Sequence, residues 1–93
     1  MTEKNRKHLK EAAGKTLVQP QFHCEIDGGA AHTSIILSGI NSIRDFSDNT
    51  VLLRTRGFFV KITGKALSLA VYENKTVEIS GKIFAMELIY DKN

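Results

Sequence analysis

His23, Cys24, Asp27 and His32 are the side chains whose types could ligate a metal ion. Their spacing argues against it. Adjacent residues of a strand point to opposite faces, so His23 and Cys24 cannot reach one ion from regular β structure. No Cys-x-x-Cys pair and no His-x-x-x-His spacing adds further ligands. Cys24 therefore reads as a small buried apolar residue and His23 as a surface residue. The carboxylates Asp45, Asp48, Glu78 and Glu87 are the candidate general acids and bases. They are scattered among turns and outward strand positions, with Asp48 in a Ser-Asp-Asn turn where its side chain is expected to bond local backbone. Glu87 is expected to be partly enclosed where its strand changes phase. A hydrolase built on Glu87 or Asp45 is the least supported reading, because no nucleophile elbow and no phosphate loop accompanies them. The chain reads as a non-enzyme with no metal and no cofactor.

A third constellation is Arg56-Gly57-Phe58-Phe59-Val60-Lys61-Ile62, close to the aromatic strand of RNA-recognition domains. In those domains the aromatics lie two apart and share the face on which bases stack. Here Phe58 and Phe59 are adjacent, so they point to opposite faces. Phe58 belongs to the core, and Phe59 to an exposed, edge or subunit-contact position. The charge is concentrated at one end. Residues 1–15 carry five basic and two acidic side chains, whereas residues 16–93 carry eight of each, so the whole net charge of +3 sits on the N-terminal arm. A nucleic-acid or anionic-surface binding module using that arm with Arg54, Arg56 and Lys61 is the alternative reading, with salt-sensitive affinity as its signature.

The elements that must position these side chains are strands. Residues 3–13 read as a short helix, capped by Thr2 and closed by Gly14. From Thr16 onward the apolar period is two. Phe22, Cys24 and Ile26 alternate with polar residues, Asp27-Gly28-Gly29 is a turn, and Ile35-Ile36-Leu37 continues a strand. Val51–Arg56 and Phe58–Thr63 flank Gly57 as a hairpin or bend. Leu67, Leu69 and Val71 follow Gly64, and Glu73-Asn74-Lys75 is the next turn. Val77, Ile79 and Ile83 are odd-numbered, but Phe84, Met86, Leu88 and Tyr90 are even. A one-residue change of phase turns every later side chain over, so a bulge or corner is expected near Gly81–Phe84. Three apolar-hydroxyl-glycine signatures end at Gly39, Gly64 and Gly81, with unequal separations that exclude a fixed-period solenoid. Gly39 is expected to bend the chain, Gly64 to separate two strands and Gly81 to open the phase change, with Gly57 as a fourth structural glycine. The expected fold is mainly all-β: a small antiparallel sandwich or flattened barrel of about seven or eight short strands, with residues 1–15 as a helix or arm and residues 16–93 as one domain.

The ordered spacing of these residues resembles the YabP/YqfC family of sporulation proteins of endospore-forming bacteria. The elements that carry it are Leu9-Lys10-Glu11, the apolar strand ending in Gly39, and Ile43 to Phe46. They continue with Val51-x-Leu53-x-Thr55-x-Gly57, Val60-x-Ile62-x-Gly64-x-x-Leu67 and Val77-x-Ile79-x-Gly81-x-Ile83. Residues 19–32 depart from the pattern, with Pro20 early and Gly28-Gly29-Ala30-Ala31 intervening. That puts the pairing of the first strands in question. The resemblance implies a β-sandwich without transferable catalytic residues, acting in spore development from the mother-cell cytoplasm or at the spore envelope. The single cysteine, the charged N-terminus and the lack of a run of about 18 apolar residues fit that compartment, with membrane contact at most peripheral.

The resulting expectation is a non-catalytic structural or adaptor protein. Its partners are itself, as a homo-oligomer, or another sporulation protein, with no small-molecule substrate. The candidate interaction surface is Phe59, Lys61, Tyr72, Arg54 and Arg56, placed outward on neutral β structure.

Overall fold

A computed structural model describes residues 22–92. Six strands follow one another: β1 (His23–Gly28), β2 (Thr33–Ser38), β3 (Ser42–Phe46), β4 (Thr50–Arg54), β5 (Phe58–Tyr72) and β6 (Thr76–Tyr90). All pair antiparallel in one sheet of order β1-β2-β6-β5-β4-β3. The all-β antiparallel class expected from the sequence is what forms. The helix over 3–13 and the start of the first strand at Thr16 lie outside the described residues.

The strand count differs, and the reason is local. Gly64 does not separate two strands, so β5 runs unbroken for 15 residues, and β6 likewise runs for 15 residues through Gly81. Their shared ladder absorbs two register shifts, between Thr63 and Gly64 and between Lys65 and Ser68. At the first shift the extra residue is Phe84 on β6, since Thr63 pairs with Ala85 and Gly64 with Ile83. At the second the extra residue lies on β5, where Ala66 adopts a left-handed φ of 54°. The bulge expected near Gly81–Phe84 is therefore present. The new phase begins after Phe84, which is itself the extra residue.

The backbones cross closely at these bulges. A Cβ on Gly64 would fall on the Lys82 carbonyl oxygen, and one on Gly81 would lie 2.7 Å from that of Ala66. Gly81 also holds a φ of 140°, which L side chains rarely adopt. Two bulged strands at one level bend a sheet sharply.

That bend makes the core. β2 pairs with the first part of β6, and β4 with the first part of β5. Ile35, Leu37, Val77 and Ile79 come from one half of the sheet, and Val51, Leu53, Val60 and Ile62 from the other. All belong to one buried cluster, which Ile40 and Leu67 complete. A flat sheet would leave one face in water, so full burial of both inner rows requires the two halves to cover each other. The edge strands β1 and β3 do not pair, so the molecule is one folded sheet and not a closed barrel.

Turns lock the two halves. Gly39, at φ 87°, leads into buried Ile40, whose N–H donates to the Lys75 carbonyl, while the Asn41 N–H donates to that of Arg54. Gly57, at φ 97°, closes the β4–β5 hairpin, where buried Thr55 donates both its N–H and its hydroxyl to the Phe58 carbonyl. In the Ser47–Thr50 turn it is the Ser47 hydroxyl, not the Asp48 carboxylate, that accepts the Asn49 and Thr50 N–H groups. The carbonyls of Asn49 and Asp48 instead accept from Gly64 and Leu67, fastening this turn to the β5 bulge.

Candidate interaction surface

Opposed residues in the ladder share a face, so the register assigns the outer surface directly. On the half built from β3, β4, β5 and the end of β6, one outward row contains Ser42, Arg54, Phe59 and Ile89. Another contains Asp45, Leu52, Lys61 and Glu87. Arg54 reaches along its row and donates two hydrogen bonds of 2.8 Å to the Asp91 carboxylate. Its guanidinium also lies 4.5 Å from the centre of the Phe59 ring. Phe59 is consequently half-buried beneath a cation and not freely exposed. The paired guanidinium holds the Asp91 carboxyl below its ordinary value, chiefly through the hydrogen bonds, and Asp91 raises that of Arg54 in return.

Tyr72 lies on the other half of the sheet, opposite Thr76, beside the β5–β6 turn. Its hydroxyl donates to Glu78 at 2.8 Å, and the second Glu78 oxygen accepts from the Ser34 hydroxyl at 2.6 Å. These hydrogen bonds, Ser34's first, hold Glu78 in its charged form, and Glu78 in turn pushes the Tyr72 phenol up. This triplet joins β5, β6 and β2 across the outer face, as Arg54 and Asp91 join β4 to the end of β6. Val71, Tyr72, Glu73 and Thr76 line a shallow, open depression there.

The five surface residues singled out from the sequence therefore do not form one patch. Arg54, Phe59 and Lys61 share a face and Arg56 is exposed in the adjoining turn, but Tyr72 belongs to the opposite half. Phe58 caps the inner side, with its ring centre 5.2 Å from that of Phe22 in an edge-to-face contact and 5.1 Å from that of the tilted Tyr90 ring. Cys24 is half-buried against the core, where burial and then the neighbouring Glu25 charge push its thiol up, while His23 is exposed beside Glu25 at 3.2 Å. Glu87, expected to be partly enclosed, is exposed, as are Asp45 and Asp48. Among the described residues no group of three His, Cys, Asp or Glu is placed to hold a metal. No helix there is long and apolar enough to cross a membrane.

Sequence reasoning does not find the exposed apolar side chains on inner rows and edges. Ile26, Phe46, Val71, Phe84, Leu88 and Tyr90 all present apolar surface. Ile26 pairs with buried Ile35, and Val71 with buried Val77, yet both overhang the layer that should cover them. Phe84 carries a signal, since it stands at the change of phase. The others carry none, because their period-two placement is that of a core residue.

The structure also explains the ordered spacing that runs through the chain. Val51, Leu53 and Thr55, then Val60, Ile62, Gly64 and Leu67, then Val77, Ile79 and Gly81 are all buried inner positions. The extra residue between Gly64 and Leu67 is the β5 bulge. This spacing records the inner face of the fold. Neither a curated protein nor a solved structure matches the chain. The model of the YabP family matches residues 30–93, from just before β2 through the end of β6, and the chain belongs to that family.

Proposed function

We propose that this protein is a non-catalytic structural or adaptor component of spore development, acting by self-association or by binding a sporulation partner. Membership of the YabP family suggests the sporulation-related role, and that family is not a known enzyme family. The observation that carries the mode of action is the open edge of β6. Beyond Gly81 this strand has no second neighbour among the described residues, and it exposes Phe84, Leu88, Ile89 and Tyr90. Unpaired backbone flanked by apolar side chains is a surface suited to another chain. The nucleic-acid alternative, which joins the basic arm to Arg54, Arg56 and Lys61, is less favoured, because Arg54 is held by Asp91 and Lys61 stands opposite Glu87, while the arm itself lies outside the described residues.

Chemical crosslinking in synchronised sporulating cells, followed by affinity capture, tests this reading alongside sedimentation of the purified chain. The expected result is recovery of a second copy, or of a protein made during sporulation, crosslinked to this chain. A strictly monomeric chain with no crosslinked partner overturns it.

A further inference from the structure

Self-association can be taken to a specific contact, and that contact rests on the functional reading of a chain that pairs with itself. The folded sheet leaves several strand edges without a partner among the described residues, and they are not equivalent. β1 carries His23, Glu25 and Asp27 along its length, and charges on an edge discourage pairing. β3 is five residues long and is interrupted by a register shift between Ile43 and Asp45. On its β4 side, the bulge of β5 is already fastened by Asn49 and Asp48. Beyond that bulge residues 68–72 of β5 are also unpaired on the β4 side, but the stretch is only five residues long. The longest open edge is residues 82–90 of β6, whose charged side chains are Lys82 and Glu87 alone. It also exposes Phe84 by 64%, Tyr90 by 66% and Leu88 by 39%. From Ala85 to Tyr90, past the bulge at Phe84, the edge is uninterrupted and Glu87 is its one charged side chain, so this stretch has few of the devices that keep strands apart.

We infer that two copies of this chain join by antiparallel pairing of their β6 edges, with a two-fold axis beside Leu88. Two-fold pairing of identical antiparallel strands sets one residue opposite its own copy, so only a few registers are available. Pairing about Met86 carries the contact through the phase change at Phe84, where inward and outward side chains fall out of step. Pairing about Glu87 sets two carboxylates directly opposite each other, which is destabilising. Pairing about Ile89 sets Glu87 opposite Asp91 of the second copy, with the same fault. Pairing nearer Gly81 drives the second strand into Thr33, because β2 occupies the edge there.

Pairing about Leu88 meets none of these obstacles. Leu88 faces its own copy, Met86 faces Tyr90 twice, and Glu87 faces Ile89 twice. The three inward residues beyond the bulge, Met86, Leu88 and Tyr90, then all gain apolar neighbours. A contact of one strand per copy falls at the small end of interface sizes, so the dimer is expected to be weak and concentration-dependent.

The test uses the full chain with Cys24→Ser, so that one introduced thiol reports the contact. Leu88→Cys is expected to give a disulfide-linked dimer on mild oxidation, because directly opposed strand residues lie within disulfide range. Phe46→Cys, on the β3 edge, is expected to stay unlinked. In sedimentation at increasing concentration, Leu88→Lys and Tyr90→Lys should each weaken dimerisation at least about tenfold with an unchanged circular dichroism spectrum. Tyr90 is exposed enough that its variant folds even if that of Leu88 does not. A dimer that survives both lysine variants and forms no Leu88→Cys disulfide overturns the β6 contact and leaves self-association standing. A monomer that still captures a sporulation partner also overturns the β6 contact alone. A monomer with no partner overturns both.

Discussion

At the residue scale, the chain's demands fall on glycines and on two polar stitches. Gly81 combines a φ of 140° with a Cβ position 2.7 Å from the Ala66 carbonyl oxygen, whereas Gly57 has a φ of 97° and open space around it. Gly81→Ala should therefore cost about 3 kcal/mol, from strain together with a backbone clash. Gly57→Ala should cost only the left-handed penalty of about 1–2 kcal/mol. Urea unfolding of the two variants checks the order. The Arg54–Asp91 pair makes a different prediction. Asp91 is held below its ordinary value of 3.8 in the folded chain, so its contribution is complete above that value. It is lost as pH falls through the lower, folded value. The gap in urea midpoint between the wild type and Asp91→Asn should thus be present at neutral pH and close below pH 3.8. Because both partners are partly exposed, added salt should narrow it as well.

At the element scale, β5 shows what a strand pattern does and does not convey. Its alternation of Val60 and Ile62 with Phe59, Lys61 and Thr63 specifies two faces, and the structure buries the first set completely. After the bulge the same alternation continues through Leu67, Leu69 and Val71, but burial fades along it until Val71 is 64% exposed. Ile62→Ala should cost about 2–5 kcal/mol, since it opens a cavity among fully buried neighbours. Val71→Ala should change stability by no more than about 0.5 kcal/mol. Chemical denaturation of the pair distinguishes a covered inner row from an overhanging one. The bulges follow the same logic. The switch from odd to even apolar positions near Phe84 is legible, because a strand's faces have period two. The partner bulge on β5 is written just as plainly in Gly64-x-x-Leu67. In sequence it reads as a strand boundary, because glycine signals both events.

At the scale of the whole molecule, alternation and local backbone preference suffice for an antiparallel β protein with its inner rows, turns and punctuating glycines. Those signals act over a few residues, so the linear chain carries them in full. The same inner residues make up the spacing by which the sequence resembles its family, since Val51, Leu53, Val60, Ile62, Val77 and Ile79 belong to that spacing and to the core. The three-dimensional arrangement alone sets the strands in one sheet of order β1-β2-β6-β5-β4-β3, bent so that its two halves cover each other. It also engages Arg54 with Phe59, places Tyr72 on the opposite half, and carries β6 past β2 with an open edge. The physical reason is distance along the chain. Whether Leu37 is buried and Leu88 is not depends on which strand lies over each of them. That is settled by pairings such as β2 with β6, which join segments far apart in sequence and leave no local trace.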